Sequence, residues 1–158
     1  MAGRYLLDTN TASYVIKGNI PAVRRRLVKV PMGKVAVSAV TEAELRFSVA
    51  RLPSATHLHK IVEEFLLRVT VLPWDSDAAR TYGDLRAALE RQGQPMGNLD
   101  LMIGAQALAL GMVLVANDQA FARIKNLKIE DWTRSVAVWK PADAASRRSA
   151  AGETQLKG

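Results

Sequence analysis

A chain of 158 residues holds one α/β domain with a continuous core and is too short for two ordinary domains. Hydrophobic residues at 49% and charged residues at 23% exclude disorder or a fibrous repeat for the bulk of it, and the lack of any cysteine excludes disulfides, thiolate metal sites and cysteine nucleophiles. Twenty-two Lys and Arg against 15 Asp and Glu leave +7; such an excess suits a polyanionic partner, nucleic acid first, although a merely solvated basic surface gives the same balance.

Tyr5-Leu6-Leu7 reads as a short buried strand that delivers Asp8 at its C-terminal end, ahead of an apolar helical stretch with Ala12, Val15 and Ile16. Pro21 opens a segment in which Val23, Leu27 and Val30 alternate with Arg24, Arg25, Arg26 and Lys29, an amphipathic helix whose basic face is a candidate RNA contact. Val35 to Val37 is a second strand. Ser38 or Thr41 offers an N-cap for a helix carrying Leu45, Val49 and Leu52 at i, i+4, i+7, and Leu58, Ile61, Val62, Phe65 and Leu66 continue a helical hairpin over 41–67. Val69 to Trp74 is the third strand. Ala78, Tyr82, Leu85 and Leu89 mark another helix, stopped at Gly93 and Pro95.

From Leu99 to Gly111 the next helix is apolar nearly all round, which makes its one carboxylate, Asp100, conspicuous. Val113-Leu114-Val115 is the fourth strand, ending at Asn117-Asp118, and Ile129 starts a short fifth before Trp132. Strands alternating with helices predict a three-layer α/β/α fold around a parallel sheet of four to five short strands. The folded unit is expected over 1–132. The remainder, 133–158, carries five basic residues against two acidic ones and is expected to be flexible. No apolar run reaches the roughly 20 residues of a membrane helix, and the start is too short for a signal segment, so a cytoplasmic protein is expected.

In such sheets ligands bind at the strand C-termini. Asp8 and Asp118 follow strands one and four, while Glu44 and Asp100 are expected in the first turns of helices that begin on the same side, so four carboxylates converge. Their mutual repulsion calls for a hard divalent cation, Mg2+ or Mn2+, able to activate a water for phosphodiester hydrolysis. Each residue also has a simpler reading. Asp8 and Asp118 suit turns, Glu44 stands at capping-box spacing from Thr41, and Asp100 could serve the helix dipole behind an Asn98 cap. Glu42 competes with Glu44, but two positions along a helix turn a side chain about 200°. His57 and His59, the only histidines, would diverge on a helix, which argues against histidine acid–base or zinc chemistry.

The stretches Tyr5-Leu-Leu-Asp-Thr-Asn10, Val37-Ser-Ala-Val-Thr-Glu-Ala-Glu-Leu45, Pro95-Met-Gly-Asn-Leu-Asp-Leu-Met-Ile103, Leu114-Val-Ala-Asn-Asp118 and Glu130-Asp-Trp132 closely resemble the PIN-domain family, and within it the VapC-type toxins. By motif position, the resemblance puts the family's four acidic metal ligands on Asp8, Glu44, Asp100 and Asp118. It implies that Thr9 and Asn10 support the first ligand by hydrogen bonding and that Asn117 helps to orient the site. Ala116 stands where such sequences commonly have Thr or Ser. The implied activity is Mg2+- or Mn2+-dependent endonucleolytic cleavage of structured RNA, transfer or ribosomal. The implied partners are a second copy of the chain and a VapB-like antitoxin, through which alone operator DNA is bound. Two other readings compete: a PIN-fold binding module with little nuclease activity, and a haloacid-dehalogenase-type phosphatase, which Asn10 in place of a second Asp disfavours.

Overall fold

The computed structural model describes residues 4–134. Five strands, β1 (Tyr5–Leu7), β2 (Val35–Ser38), β3 (Thr70–Leu72), β4 (Val113–Val115) and β5 (Ile129–Glu130), form one sheet in the order β3-β2-β1-β4-β5. Every pairing is parallel. Parallel neighbours need crossovers, and the helices supply them: α1 (Thr9–Lys17), α2 (Pro21–Leu27), α3 (Ala39–Ala50), α4 (Thr56–Arg68), α5 (Ser76–Arg91) and α6 (Asn98–Leu110).

The three central strands, β1, β2 and β4, are almost wholly buried, and alternate residues go to opposite sides. Leu7, Val35, Val37 and Val115 join Ala12, Val23, Leu45, Val62, Phe65 and Trp132 in one core cluster. Leu6, Ala36 and Leu114 join Leu89, Leu101, Ile103, Ala107 and Phe121 in the other. Two apolar layers on one pleated sheet make the three-layer α/β/α arrangement that the alternation of elements predicts. Among the described residues no helix is long and apolar enough to cross a membrane.

The chain leaves β1 outward through β2 and β3, then returns to the other side of β1 to add β4 and β5. The strand order therefore reverses between β1 and β4, where an open α/β sheet leaves a crevice at its C-terminal edge. Asp8 and Asp118 follow those two strands.

Three expectations need correcting. The third strand covers only Thr70–Leu72, because Pro73 has no N–H for the ladder and Val69 caps α4. Helix α3 begins at Ala39, with the Ser38 side chain accepting from the Val40 N–H, so Thr41 is already inside it. Glu44 consequently lies in the second turn and not the first. Helix α6 is preceded by Gly97, which makes Asn98 its first residue and not its cap. The expected flexible tail lies outside the described residues from 135 onward.

The basic helix is also less uniform than its sequence suggests. Arg24, Arg25 and Lys29 are exposed, but the Arg26 guanidinium donates to both Glu130 carboxylate oxygens at 3.1 and 3.0 Å. It also sits 6.0 Å from the Trp132 ring centroid. The Trp132 indole N–H donates to the same Glu130 at 2.9 Å, and its ring meets Tyr5 at 5.4 Å. Arg26 thus closes the β5 edge instead of facing a ligand.

Candidate active site

Asp8 is 2% exposed, an unusual position for a carboxylate. Its backbone N–H donates to the Val115 carbonyl at 3.0 Å, continuing the β1–β4 ladder by one bond. Its side chain caps α1, with Oδ1 accepting from the Thr11 N–H at 2.8 Å. Thr11, itself buried, donates its hydroxyl to the Val115 carbonyl at 3.0 Å. The simple turn reading of Asp8 and the functional one therefore coexist: capping one oxygen fixes the carboxylate and leaves the other available.

Burial raises the Asp8 carboxyl from 3.8 to about 6, against the lowering effect of its bonds from Thr11, and the charges of Asp100 and Asp118 add to the rise. Asp100, half-buried in the first turn of α6, is raised in turn by burial, then by Asp118 and Glu44. These pairings tie all four predicted carboxylates into one electrostatic cluster. Asp118 is exposed and caps the short 3-10 turn Gln119–Arg123, its Oδ1 accepting from the Ala120 N–H at 2.9 Å. Glu44 is half-buried and accepts from the Thr9 hydroxyl at 2.7 Å. Glu42 points elsewhere, towards Arg46 at 3.4 Å, as the helical rotation between the two glutamates requires.

Among the described residues no group of three or more histidine and acidic side chains is drawn into an arrangement ready to hold a metal ion. The chemistry of the donor set is nevertheless that of a hard divalent ion: oxygen ligands only, with the Asp8 and Asp100 carboxyls made less acidic first by burial and then by neighbouring carboxylates.

The expected supporting residues are redistributed. The Thr9 hydroxyl serves Glu44 and stands 3.1 Å from that of Thr41, and Thr11 takes the part expected of Thr9 beside Asp8. Asn10 is exposed. The Asn117 amide donates to the Tyr14 hydroxyl at 3.3 Å, bridging the segment after β4 to α1, and Ala116 is buried and apolar. Thr11 could have been found from sequence by its place three residues after Asp8, the capping distance. His59 bonds to the Leu52 carbonyl at 3.0 Å, a structural role.

A groove of about 820 Å³ opens beside Glu44, lined by Thr9, Asn10, Phe47, Arg51, Trp74 and Leu99 among others. Trp74 is held there by its indole N–H donating to the Met102 carbonyl at 3.0 Å.

The tRNA(fMet)-specific endonuclease VapC of Shigella flexneri is 35% identical over 131 residues, spanning 82% of this chain and 98% of that protein. The crystal structure of DNA-bound VapBC from Salmonella typhimurium matches with a TM-score of 0.76 at 35% identity, over 82% of this chain and 98% of that one. VapBC2 from Rickettsia felis, bound to a DNA fragment from its promoter, matches at 0.73 and 31%, over 80% and 96%. The family model for the PIN domain matches residues 5–127. With that model spanning most of the chain, and with Asp8 and Asp118 at the sheet's switch point, the protein belongs to the PIN domain family.

Proposed function

We propose that this protein is the ribonuclease component of a toxin–antitoxin pair, an endoribonuclease that hydrolyses phosphodiester bonds in structured transfer or ribosomal RNA with Mg2+ or Mn2+. The observation that carries the reading is Asp8: a carboxylate buried at the sheet's switch point, raised to about 6 and coupled to Asp100 and Asp118. A fold keeps such a group against its own stability when the group has work to do.

Asp8, Asp100, Glu44 and Asp118 are the residues that would hold the ion. When bound, a divalent ion supplies a water of lowered pKa and positive charge against the oxyanion that develops at phosphorus. Thr11 holds Asp8 in one rotamer through the cap bond, and Thr9 does the same for Glu44. Preorganisation of this kind keeps the carboxylates from rearranging as charge moves. The overall excess of positive charge draws the RNA backbone towards a site that is locally acidic. The nuclease unit in this reading is residues 1–132.

The partner is a small VapB-like antitoxin, with operator DNA bound through it and with a second copy of the toxin in the assembly. The DNA-bound VapBC relatives support this assignment. They also favour a second reading, a binding module active only in DNA complexes, but a module of that kind has no use for a buried carboxylate beside two others.

Expression without the antitoxin should arrest growth, Asp8→Asn should relieve the arrest, and sequencing RNA ends after brief induction should show discrete cuts. Arrest that survives the substitution with no new ends would favour the binding module.

A further inference from the structure

Positive charge is not spread evenly over this chain. Between Thr9 and Thr41 stand six cations, Lys17, Arg24, Arg25, Arg26, Lys29 and Lys34, and no acidic residue, which accounts for all but one of the net +7. Four of the six fall on α2 and the turn after it. One cation near its C-terminal end answers the dipole of a seven-residue helix, and Arg26 is already held by Glu130. Arg25 and Lys29 are exposed, and among the described residues neither has an ion pair. Residues turn about 100° each along a helix, and the Lys29 N–H still bonds back to the Arg26 carbonyl at 3.2 Å. With Val23 buried against the sheet, Arg25 and Lys29 lie on the side of α2 that Arg26 turns towards Glu130, while Arg24 and the exposed Val28 turn the other way. Two adjoining hollows link that side to the carboxylates. One of about 180 Å³ is lined by Arg26, Glu130, Trp132 and the ion pair Asp131–Arg134. The next, of about 210 Å³, shares Asp131 and Arg134 and reaches Asp118.

We infer that Arg25 and Lys29 are phosphate contacts for an RNA strand that runs from the carboxylate site across the two hollows onto α2, holding the substrate independently of its sequence and away from the bond that is cut. This rests on the RNA-cleaving reading and adds to it where the rest of the substrate lies. Four carboxylates repel an incoming phosphate, so attraction for RNA has to come from elsewhere in the molecule, and the stretch between Thr9 and Thr41 holds nearly all of the excess positive charge. Unpaired cations on a segment without a single anion suit a polyanion with regularly spaced phosphates. An acidic protein segment fits less well, because protein interfaces centre on apolar anchors and are poor in Lys. The large exposed apolar residue at the end of α2, Val28, lies on the far side from the hollows.

The test titrates the full chain in EDTA, where no bond is cut, with a fluorescein-labelled transfer RNA and with a hairpin RNA of unrelated sequence, at several salt concentrations. Arg25→Gln/Lys29→Gln should lower the slope of log K against log salt by about 1.4–1.8, two phosphate contacts at roughly 0.7–0.9 each. The fall should be the same for both RNAs, because a backbone contact carries no sequence information. Arg25→Lys/Lys29→Arg should keep the wild-type slope. Arg80→Gln/Arg91→Gln removes the same charge from exposed positions on α5, whose Leu89 packs in the core cluster on the opposite face of the sheet from Val23, and should leave the slope near that of wild type. With Mg2+ present, the loss in Arg25→Gln/Lys29→Gln should appear in KM, since a contact remote from the scissile bond holds substrate and transition state alike. A wild-type slope in Arg25→Gln/Lys29→Gln would overturn the inference and leave the face to an acidic protein partner. So would an equal fall in the α5 control, which would make overall charge the sole cause. If wild type cuts RNA and Arg25→Gln/Lys29→Gln cuts it with the same KM, only the α2 contact falls. If the slopes change as expected but wild type cuts no RNA with Mg2+ or Mn2+, the ribonuclease reading falls and the contact stands.

Discussion

Asp8→Asn should make the metal-free protein more stable while disabling it. Holding a carboxyl at about 6 in place of 3.8 penalises the ionised form of the folded state by roughly 3 kcal/mol at neutral pH. The substituted amide keeps an acceptor for the Thr11 N–H at 2.8 Å and carries no charge against Asp100 and Asp118. Its buried NH2 group gives back about 1–2 kcal/mol where it lacks an acceptor. The net gain is therefore about 1–2 kcal/mol near pH 7.5, a rise in Tm of roughly 2–8 °C for a domain of this size. Because the folded pKa lies above the unfolded one, the folded state binds more proton between 3.8 and about 6. The stability that Asp8 contributes is complete below that window and lost as pH rises through it. The gap between variant and wild type should accordingly be small at acid pH and full above about pH 7. Thermal melts in EDTA across this range measure it. A variant no more stable than wild type at neutral pH, or a gap that does not change with pH, would refute the claim that burial penalises Asp8. Added Mg2+ should stabilise wild type more than the variant, since only wild type keeps the full ligand set.

Trp132→Ala removes a ring that is 3% exposed and packed on Tyr5; it should cost about 3–5 kcal/mol, read as a lower urea midpoint at unchanged m. Thr9→Val deletes the donor to Glu44 and should lower kcat about tenfold with little change in Tm, and Thr9→Ser should restore it. Gly111→Ala places a Cβ at φ +63° just after α6 and should cost about 1–2 kcal/mol with cleavage intact, because the strain lies far along α6 from Asp100.

The fold was legible because its signals are local and repeated. Short apolar strands, Ala- and Leu-rich helices and the punctuation at Pro21, Gly93 and Gly111 each point to one element, and parallel topology follows from their alternation. Boundaries were less legible. Ser38 and Thr41 are both good caps, and only the chain's exit from β2 decides for Ser38, which moves Glu44 from the first turn to the second. The carboxylate set could be proposed from sequence because burial makes Asp100 costly in so apolar a helix. Which hydroxyl serves which carboxylate could not: the Thr9–Glu44 bond spans 35 residues and depends on how α1 meets α3. Arg26 looked like a ligand-facing cation because its partner, Glu130, lies 104 residues away.

The most direct test of the account is cleavage of purified transfer RNA by the full chain with Mg2+ or Mn2+, by wild type, Asp8→Asn and Asp100→Asn, each checked for fold by circular dichroism. The account predicts discrete cuts by wild type that EDTA abolishes, and folded variants that leave the RNA whole. Undiminished cleavage by both variants would contradict it.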